Sequence, residues 1–300
     1  MIVNSESPEM SLCIATLNRP GQLNTMLESI VTHSASCRKI EIIIVDQHGN
    51  AAEIAAKYKD SFHSVIYHRD TGTGLSRARN IGIGKARGTI IGIPDDDCWF
   101  ENDMLDNVPE LIRNWDVIQL PVRLADTGDA RSYQRKCLGE DSRISKGNFL
   151  YLISSNGLYF KRETTAFRFD DDIGAGRTYG SCEDLYWMWT LLKNGKTAMF
   201  YKSEGIFHPR DLQETVSRKR VIHYGLGQGL FWRRLVAEAD GFWKLRFIAE
   251  IVANLVFHSI HMFLSALLLK KGKTSYRYWL IVSRIAGMLK NVSVVNRYIG

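Results

Sequence analysis

The sequence predicts an α/β protein: a mostly parallel central sheet flanked by helices, followed by a C-terminal amphipathic helical extension. Three observations carry this. Apolar, β-branched runs alternate with helix-like stretches from Met10 to Ile93. Polar residues with chemical potential follow the ends of those runs, where ligands bind in open parallel sheets. The last sixty residues change character, becoming basic and helically patterned.

Residues 10–16 read as a buried first strand. Asn18 and Pro20 then turn the chain into a helix with Leu23, Leu27 and Ile30 on one face. Residues 40–45 form a second strand, ending at Asp46 and a polar turn through Gly49 and Asn50. A helix over 51–58 and a short strand over 64–68 follow. Gly72 and Gly74 open a helix carrying Leu75, Ala78, Ile81 and Ile83, and residues 89–93 make the fourth strand. Beyond it the pattern predicts a helix over 103–113 and a strand over 117–122. Residues 123–147 are polar and aperiodic, as in a mobile loop over a site. Residues 149–160 look strand-like, interrupted at Ser154-Ser155-Asn156-Gly157. Glu183-Asp184 opens a helix running to Lys193, and 197–201 is a last short strand. Residues 212–239 read as a basic helix broken around Gly225, Gly227 and Gly229. The expected division is a domain over 1–240 and an extension over 241–300.

The composition, 45% hydrophobic and 24% charged over 300 residues, is that of an ordinary globular chain. Its five cysteines (Cys13, Cys37, Cys98, Cys137 and Cys182) are odd in number and lack a C-x-x-C pair. That argues against a disulfide framework or a zinc site and fits a reducing cytosol. The N-terminus carries no secretory pattern. The net charge of +7 is concentrated: residues 241–300 hold nine basic residues and one acid, Glu250. Any anionic partner of the basic character is therefore met at the tail.

The fourth strand delivers Pro94-Asp95-Asp96-Asp97 to the sheet rim. Three adjacent carboxylates repel and raise one another's pKa, and a divalent cation removes that cost. An acidic turn on a solvated surface is the competing reading. Asn18, Asp46 and the triplet share the same strand-end location, which favours a site. Glu183-Asp184 either caps its helix through the dipole or supplies a general base. Gly72-Thr-Gly74-Leu-Ser-Arg77 departs from a dinucleotide fingerprint at its third position. His208 is either a packed histidine or a metal ligand with the triplet. Gly225-Leu-Gly227-Gln-Gly229, among Arg218, Arg220 and Arg233, is either a phosphate-closing loop or a helix break.

In the tail, Phe247, Ile251, Leu255, Phe263 and Leu267 belong to an apolar helical stripe, with Glu250, Asn254, His258, His261 and Ser265 opposite. With Lys270, Lys271 and Lys273 following, the pattern fits an interfacial membrane helix better than a spanning one. Two helices packed on the preceding domain are the alternative.

Together, Ile14-Ala-Thr-Leu-Asn-Arg19, Ile43-Ile-Val-Asp46, Gly74-Leu-Ser-Arg-Ala-Arg-Asn80, Pro94-Asp-Asp-Asp97 and Gly180-Ser-Cys-Glu-Asp184 resemble the family-2 inverting glycosyltransferases of the GT-A fold. The resemblance covers roughly residues 10 to 210 and keeps the family's order; the stretch 170–184 resembles a bacterial surface-polysaccharide subgroup. It implies that Thr16, Asn18, Arg19, Asp46, Arg79, Asp95 and Asp96 hold a nucleotide-diphosphate sugar. It implies that Asp95 and Asp97 ligate Mn²⁺ or Mg²⁺, to which the reading of His208 above adds a third candidate ligand. Asp184, beside Glu183, would deprotonate the acceptor hydroxyl, with Ser155, Asn156 and Gly157 bordering the acceptor. The acceptor would be a glycan, polyprenyl-linked, at the inner face of the cytoplasmic membrane. The family's motif after the base is not cleanly present, so Arg218 and Arg220 are weak assignments, and Trp187 and Trp189 stand where an acid and an arginine are frequent. The rival classes are a nucleotidyltransferase making a nucleotide-sugar and a non-enzymatic membrane-surface binder; nucleic acid is not expected, because the tail has no reading motif.

Overall fold

The computed structural model describes residues 7–125, 127–128, 140–202, 205–209 and 217–296; Cys137 and much of the expected 123–147 loop lie outside them. The chain groups into two compact units, Met1–Phe169 with Trp187–Arg210, and Asp170–Tyr186 with Asp211–Gly300.

The first unit begins with β1 (Met10–Thr16), α1 (Pro20–His33), β2 (Ile40–Asp46) and α2 (Ala52–Lys57). β3 (Ser64–Arg69), α3 (Leu75–Lys85), β4 (Ile90–Gly92) and α4 (Met104–Leu111) follow. Next come β5 (Val117–Gln119), β6 (Val122–Leu124), β7 (Ser142–Ile144), α5 (Phe149–Leu152) and β8 (Leu158–Lys161). α6 (Glu183–Lys193), whose first four residues are grouped with the second unit, β9 (Ala198–Phe200) and β10 (Ile206–His208) come after.

Eight strands form one sheet in the order β3-β2-β1-β4-β8-β5-β9-β7. β1 to β4 are parallel, as is β5 with β9, while β8 and β7 run antiparallel to their neighbours. Every residue of β2 is buried, as expected of a strand covered on both faces. The chain steps outward from β1 through β2 to β3, then returns to β4 on the other side of β1. That reversal opens a crevice beyond the carboxyl ends of β1 and β4. At the opposite end, the buried Glu41 carboxylate accepts bonds from Ser11, Ser64 and both the backbone and side chain of Arg87. The rim away from the crevice is thereby fixed.

Two expected strands are corrected. The stretch 117–122 splits at Leu120-Pro121 into β5 in the large sheet and β6, which pairs with β10 in a separate ribbon. The stretch 149–160 begins as a helical turn, because Phe149 and Leu152 bury on the same side. A 3₁₀ turn over Ser155–Gly157 then leads into β8. Gly157 is required there: a Cβ would stand 2.1 Å from the Leu120 carbonyl oxygen.

The second unit contains α7 (Arg218–Glu238), α8 (Gly241–Leu267), α9 (Lys271–Met288) and α10 (Ser293–Asn296). α7 is unbroken, so the expected break at Gly225, Gly227 and Gly229 is overturned, and with it the phosphate-closing loop. These glycines are contact points. A Cβ on Gly225 would meet Ser283 Oγ at 1.9 Å, and one on Gly229 the Arg284 carbonyl oxygen at 2.0 Å. From the facing helix, Gly287 approaches the Leu226 carbonyl at 2.2 Å by the same measure. Gly227 packs instead on the Ser181 backbone.

Gly229→Ala tests this packing. Helix propensity alone favours alanine by about 1 kcal/mol, whereas overpacking costs about 1–3 kcal/mol. The expected result is a lower urea midpoint; an unchanged or raised midpoint would show that α7 and α9 are not in backbone contact.

Candidate active site

The crevice beyond β1 and β4 collects the acidic triplet and its partners, all within the first unit. Each carboxylate finds a different cation or donor. Asp95 Oδ1 accepts from Arg79 Nη2 at 2.8 Å, and Arg79 itself is buried beneath, over the Phe169 ring. Asp96 Oδ2 accepts from Thr16 Oγ1 at 2.7 Å, and its Oδ1 from Arg19 Nη1 at 3.1 Å. Arg19 also reaches Asp97 Oδ2 at 2.8 Å. Burial pushes the Asp96 carboxyl up to about 6, with Asp97 and Asp95 adding to the rise and Thr16 and Arg19 resisting it. Burial likewise opposes the Arg19 charge, but Asp96 and Asp97 outweigh it and raise the guanidinium's pKa.

Asp97 differs from the other two. His208, delivered by β10, places Nε2 3.3 Å from Asp97 Oδ1. Its Nδ1 lies 2.6 Å from the Pro209 carbonyl oxygen, which can only accept, so Nδ1 carries the proton. Nε2 thus faces a buried carboxylate oxygen, Asp97 Oδ1. A ring nitrogen and a carboxylate oxygen so placed are joined by a positive charge, a proton or a metal ion. The Cys98 sulfur joins them, the three ligand atoms lying within 4.8 Å of one another. The donor set fits a divalent cation, and the imidazole favours Mn²⁺ over the all-oxygen preference of Mg²⁺. Burial would raise the Asp97 carboxyl, yet the neighbouring His208 and Arg19 hold it below the ordinary range. A divalent cation there acts in the same direction.

Other expected residues fall differently. Asp46 is fully buried, and its oxygens accept from the backbone N–H groups of His48, Gly49 and Ala51 and from the Tyr67 hydroxyl. Those bonds overcome the effect of burial and lower its pKa. It braces the turn after β2, at the strand end where a nucleoside contact is expected. Asn18 adopts a left-handed backbone (φ 59°) and accepts from Asn50 Nδ2 at 2.9 Å, exposed at the crevice edge. Asp95, expected on the metal, is paired through Oδ1 with Arg79. Asn156, expected beside an acceptor, is buried and accepts from the Asp95 backbone N–H at 3.2 Å, so it positions the triplet. Ser155 and Gly157 are buried with it. Arg77 is taken up by Asp70, whose carboxyl it helps hold at about 2 against burial.

In the second unit Glu183 is buried and Asp184 half-buried at the start of α6, where Asp184 Oδ1 accepts from the Leu185 N–H at 2.8 Å. The preceding segment is anchored to α7: Gly180 N–H donates to the His223 carbonyl, and Ser181 Oγ to the Tyr224 carbonyl. Cys182 turns with φ 70°. Arg218 lies over Trp279 and Arg220 bonds the Tyr224 hydroxyl. The tryptophans that stand in place of the family's polar pair are core residues of the first unit. Trp187 stacks on Phe169 and donates to the Phe167 carbonyl, while Trp189 stacks on Phe149.

Comparison with known proteins decides the family. Residues 11–173, more than half of the sequence, match the description "Glycosyl transferase family 2". The chain belongs to glycosyl transferase family 2. Among curated relatives, the glycosyltransferase GlyA of Streptococcus pneumoniae serotype 4 is 28% identical over 102 residues, 33% of this chain and 14% of its own. EpsH of Bacillus subtilis (strain 168), also named as a glycosyltransferase, is 37% identical over 102 residues, 33% of this chain and 28% of its own. The chain thus spans less than a third of the length of these relatives. Among solved structures, S. aureus TarS 1-349 in complex with UDP-GlcNAc superposes with a TM-score of 0.66 at 14% identity, over 97% of this chain and 91% of that one. A Pyrobaculum calidifontis mannosyltransferase in complex with GDP-Man and Mn²⁺ gives 0.64 at 15% identity, over 95% and 88%. These likenesses establish the GT-A fold for this family-2 glycosyltransferase.

If the Asp97–His208 pair of this family-2 chain holds a cation, Asp97→Asn and His208→Ala should each weaken Mn²⁺ binding at least about tenfold. Titration of the protein alone, followed by the Mn²⁺ paramagnetic resonance signal, reads this directly. Unchanged affinity in both variants would remove the site.

Proposed function

We propose that this glycosyltransferase moves a sugar from a nucleotide-diphosphate donor to a glycan acceptor with inversion at the anomeric carbon. The observation that carries the reading is the convergence of Asp97 Oδ1 and His208 Nε2, 3.3 Å apart, with the Cys98 sulfur at the crevice of a GT-A sheet. Asp97 and His208, with Cys98 beside them, would hold Mn²⁺ or Mg²⁺, which supplies Lewis-acid neutralisation of a diphosphate leaving group. The two solved neighbours crystallised with UDP-GlcNAc, and with GDP-Man and Mn²⁺, support that donor class.

The chain's own groups divide the remaining work. Arg19, half exposed and bonded to both Asp96 and Asp97, offers its remaining N–H groups to phosphate oxygens. Thr16 and Arg79 keep Asp96 and Asp95 in place, and Asn18 borders the nucleoside end. Asp184 takes the proton from the acceptor hydroxyl, and Glu183 lies beside it. The hydroxyl oxygen bonds to the anomeric carbon as the bond to the diphosphate oxygen breaks, its electron pair leaving with the nucleoside diphosphate. The anchoring of 170–186 to α7 suits a base that must not wander. The acceptor of this reading is a polyprenyl-linked glycan at the inner face of the cytoplasmic membrane, in the building of a bacterial surface polysaccharide.

Thermal-shift screening of nucleotide sugars should show a rise in melting temperature that grows when Mn²⁺ is present. With the donor so identified, Asp184→Asn should lower kcat by about 10²–10⁴ while leaving donor affinity intact. NMR of the product should show the opposite anomeric configuration to the donor, with nucleoside diphosphate released. Retained configuration, release of inorganic diphosphate, or near-normal turnover by the Asp184 variant would each sink the proposal.

A further inference from the structure

Helix α8 is inside out for a protein surrounded by water. Its polar residues recur every three or four positions and are withdrawn from solvent: Glu250, Asn254, His258 and His261 are half-buried and Ser265 is buried. α9 ties two of them down, Arg284 donating to Asn254 Oδ1 at 2.8 Å and Arg277 lying 3.3 Å from His258 Nδ1. The opposite side is apolar and open. Val252, Val256, Ile260, Phe263 and Leu267 are each 51–64% exposed, and only 11% of the helix's most apolar stretch is buried. A continuous apolar face of this length is not found on ordinary water-facing surfaces.

The packing behind that face follows the same inversion. α7 and α9 touch through small residues spaced four apart on each helix: Gly225 against Ser283, Gly229 against the Arg284 backbone, and Gly287 against the Leu226 backbone. Arg284 is buried with two neutral amide partners, Gln228 Oε1 at 2.5 Å and Asn254. Small residues and polar bonds are how helices associate where the surroundings are as apolar as their side chains.

Charge decides what covers the face. Lys270, Lys271 and Lys273 stand exposed at the turn from α8 to α9. Glu250 is the single acid among the described residues of α8 and α9, and Arg246 holds it at 3.1 Å. At the same turn a groove of about 530 Å³, lined by Met262, Phe263, Ala266 and Leu269, opens beside Lys271 and Tyr278. An apolar slot with an ammonium at its mouth is shaped for a hydrocarbon chain that ends in a phosphate.

We propose that the exposed face of α8, with the lysine turn that follows it, docks into an anionic phospholipid bilayer with the helix axis along the surface. The apolar side chains enter the hydrocarbon boundary, and Lys270, Lys271 and Lys273 meet the phosphates. α8 does not span, since α9 would have to follow with Arg277 and Arg284 into the hydrocarbon core. The proposal stands on these helices and is independent of the transfer reaction.

Flotation of the full chain with vesicles tests it. The protein should float with phosphatidylglycerol–phosphatidylcholine vesicles at 100 mM salt and stay down with phosphatidylcholine alone. Val256→Asp with Phe263→Asp should cut bound protein at least about tenfold, with an unchanged circular dichroism spectrum and melting temperature, because both positions are exposed. Changing Lys270, Lys271 and Lys273 to Glu should abolish the preference for anionic vesicles, each lysine contributing about fivefold. Failure to float with anionic vesicles overturns the proposal, as does equal flotation of the aspartate pair. Sedimentation as a dimer that the aspartate pair dissociates, without vesicle binding, assigns the face to a second copy and overturns it too.

Discussion

The parallel ladder between β1 and β4 is the constraint on which the site depends. Met10 to Leu12 register against Ile90 to Gly92, so both strands run out at the same rim. Thr16 and Arg19 leave from one, Asp95 to Asp97 from the other, and side chains from segments far apart in sequence become neighbours. β2, in register from Ile40 to Asp46 with β1, supplies the floor, its Asp46 carboxylate fastening the adjoining turn. Without the reversal of strand order at β1, the triplet would be an acidic turn on a surface.

Given that frame, the three carboxylates offset part of their mutual repulsion through the partners each has. Asp95 is paired with a buried arginine, and Asp96 is bonded by a hydroxyl and a guanidinium. Asp97 faces an imidazole whose tautomer is set by the Pro209 carbonyl. The guanidinium of Arg19 spans the last two acids and is half-exposed. Fixed charges arranged this way need little reorganisation when a charged ligand arrives.

Much of this was legible in the sequence. The first four strands, their helices and the common edge carrying Asn18, Asp46 and the triplet follow from hydrophobic period and turn residues. His208 was reachable as a candidate ligand, but its strand, paired with β6 in a separate ribbon, was not, since long-range pairing leaves no local trace. Asn156 and Gly157 stood out only as an interruption, because what they serve, the Asp95 N–H and the Leu120 carbonyl, lies distant in the chain. The glycines of α7 misled for a related reason. A helix breaker in isolation becomes a contact point once another helix needs to come close. The partner of Asp46 was hidden as well, since a carboxylate at a strand end reads alike whether it serves a ligand or its own backbone.

The pairing of β10 with β6 carries one more consequence. His208 reaches Asp97 through a two-stranded ribbon outside the main sheet, with Trp99 and Phe207 joined by a β-bridge and stacked rings alongside. An ion gripped by both residues would act as a clasp between the ribbon and the sheet. Occupancy of the crevice and cohesion of the first unit's last strand are then one equilibrium, and each additional decade of free ion above the dissociation constant tightens that clasp by about 1.4 kcal/mol.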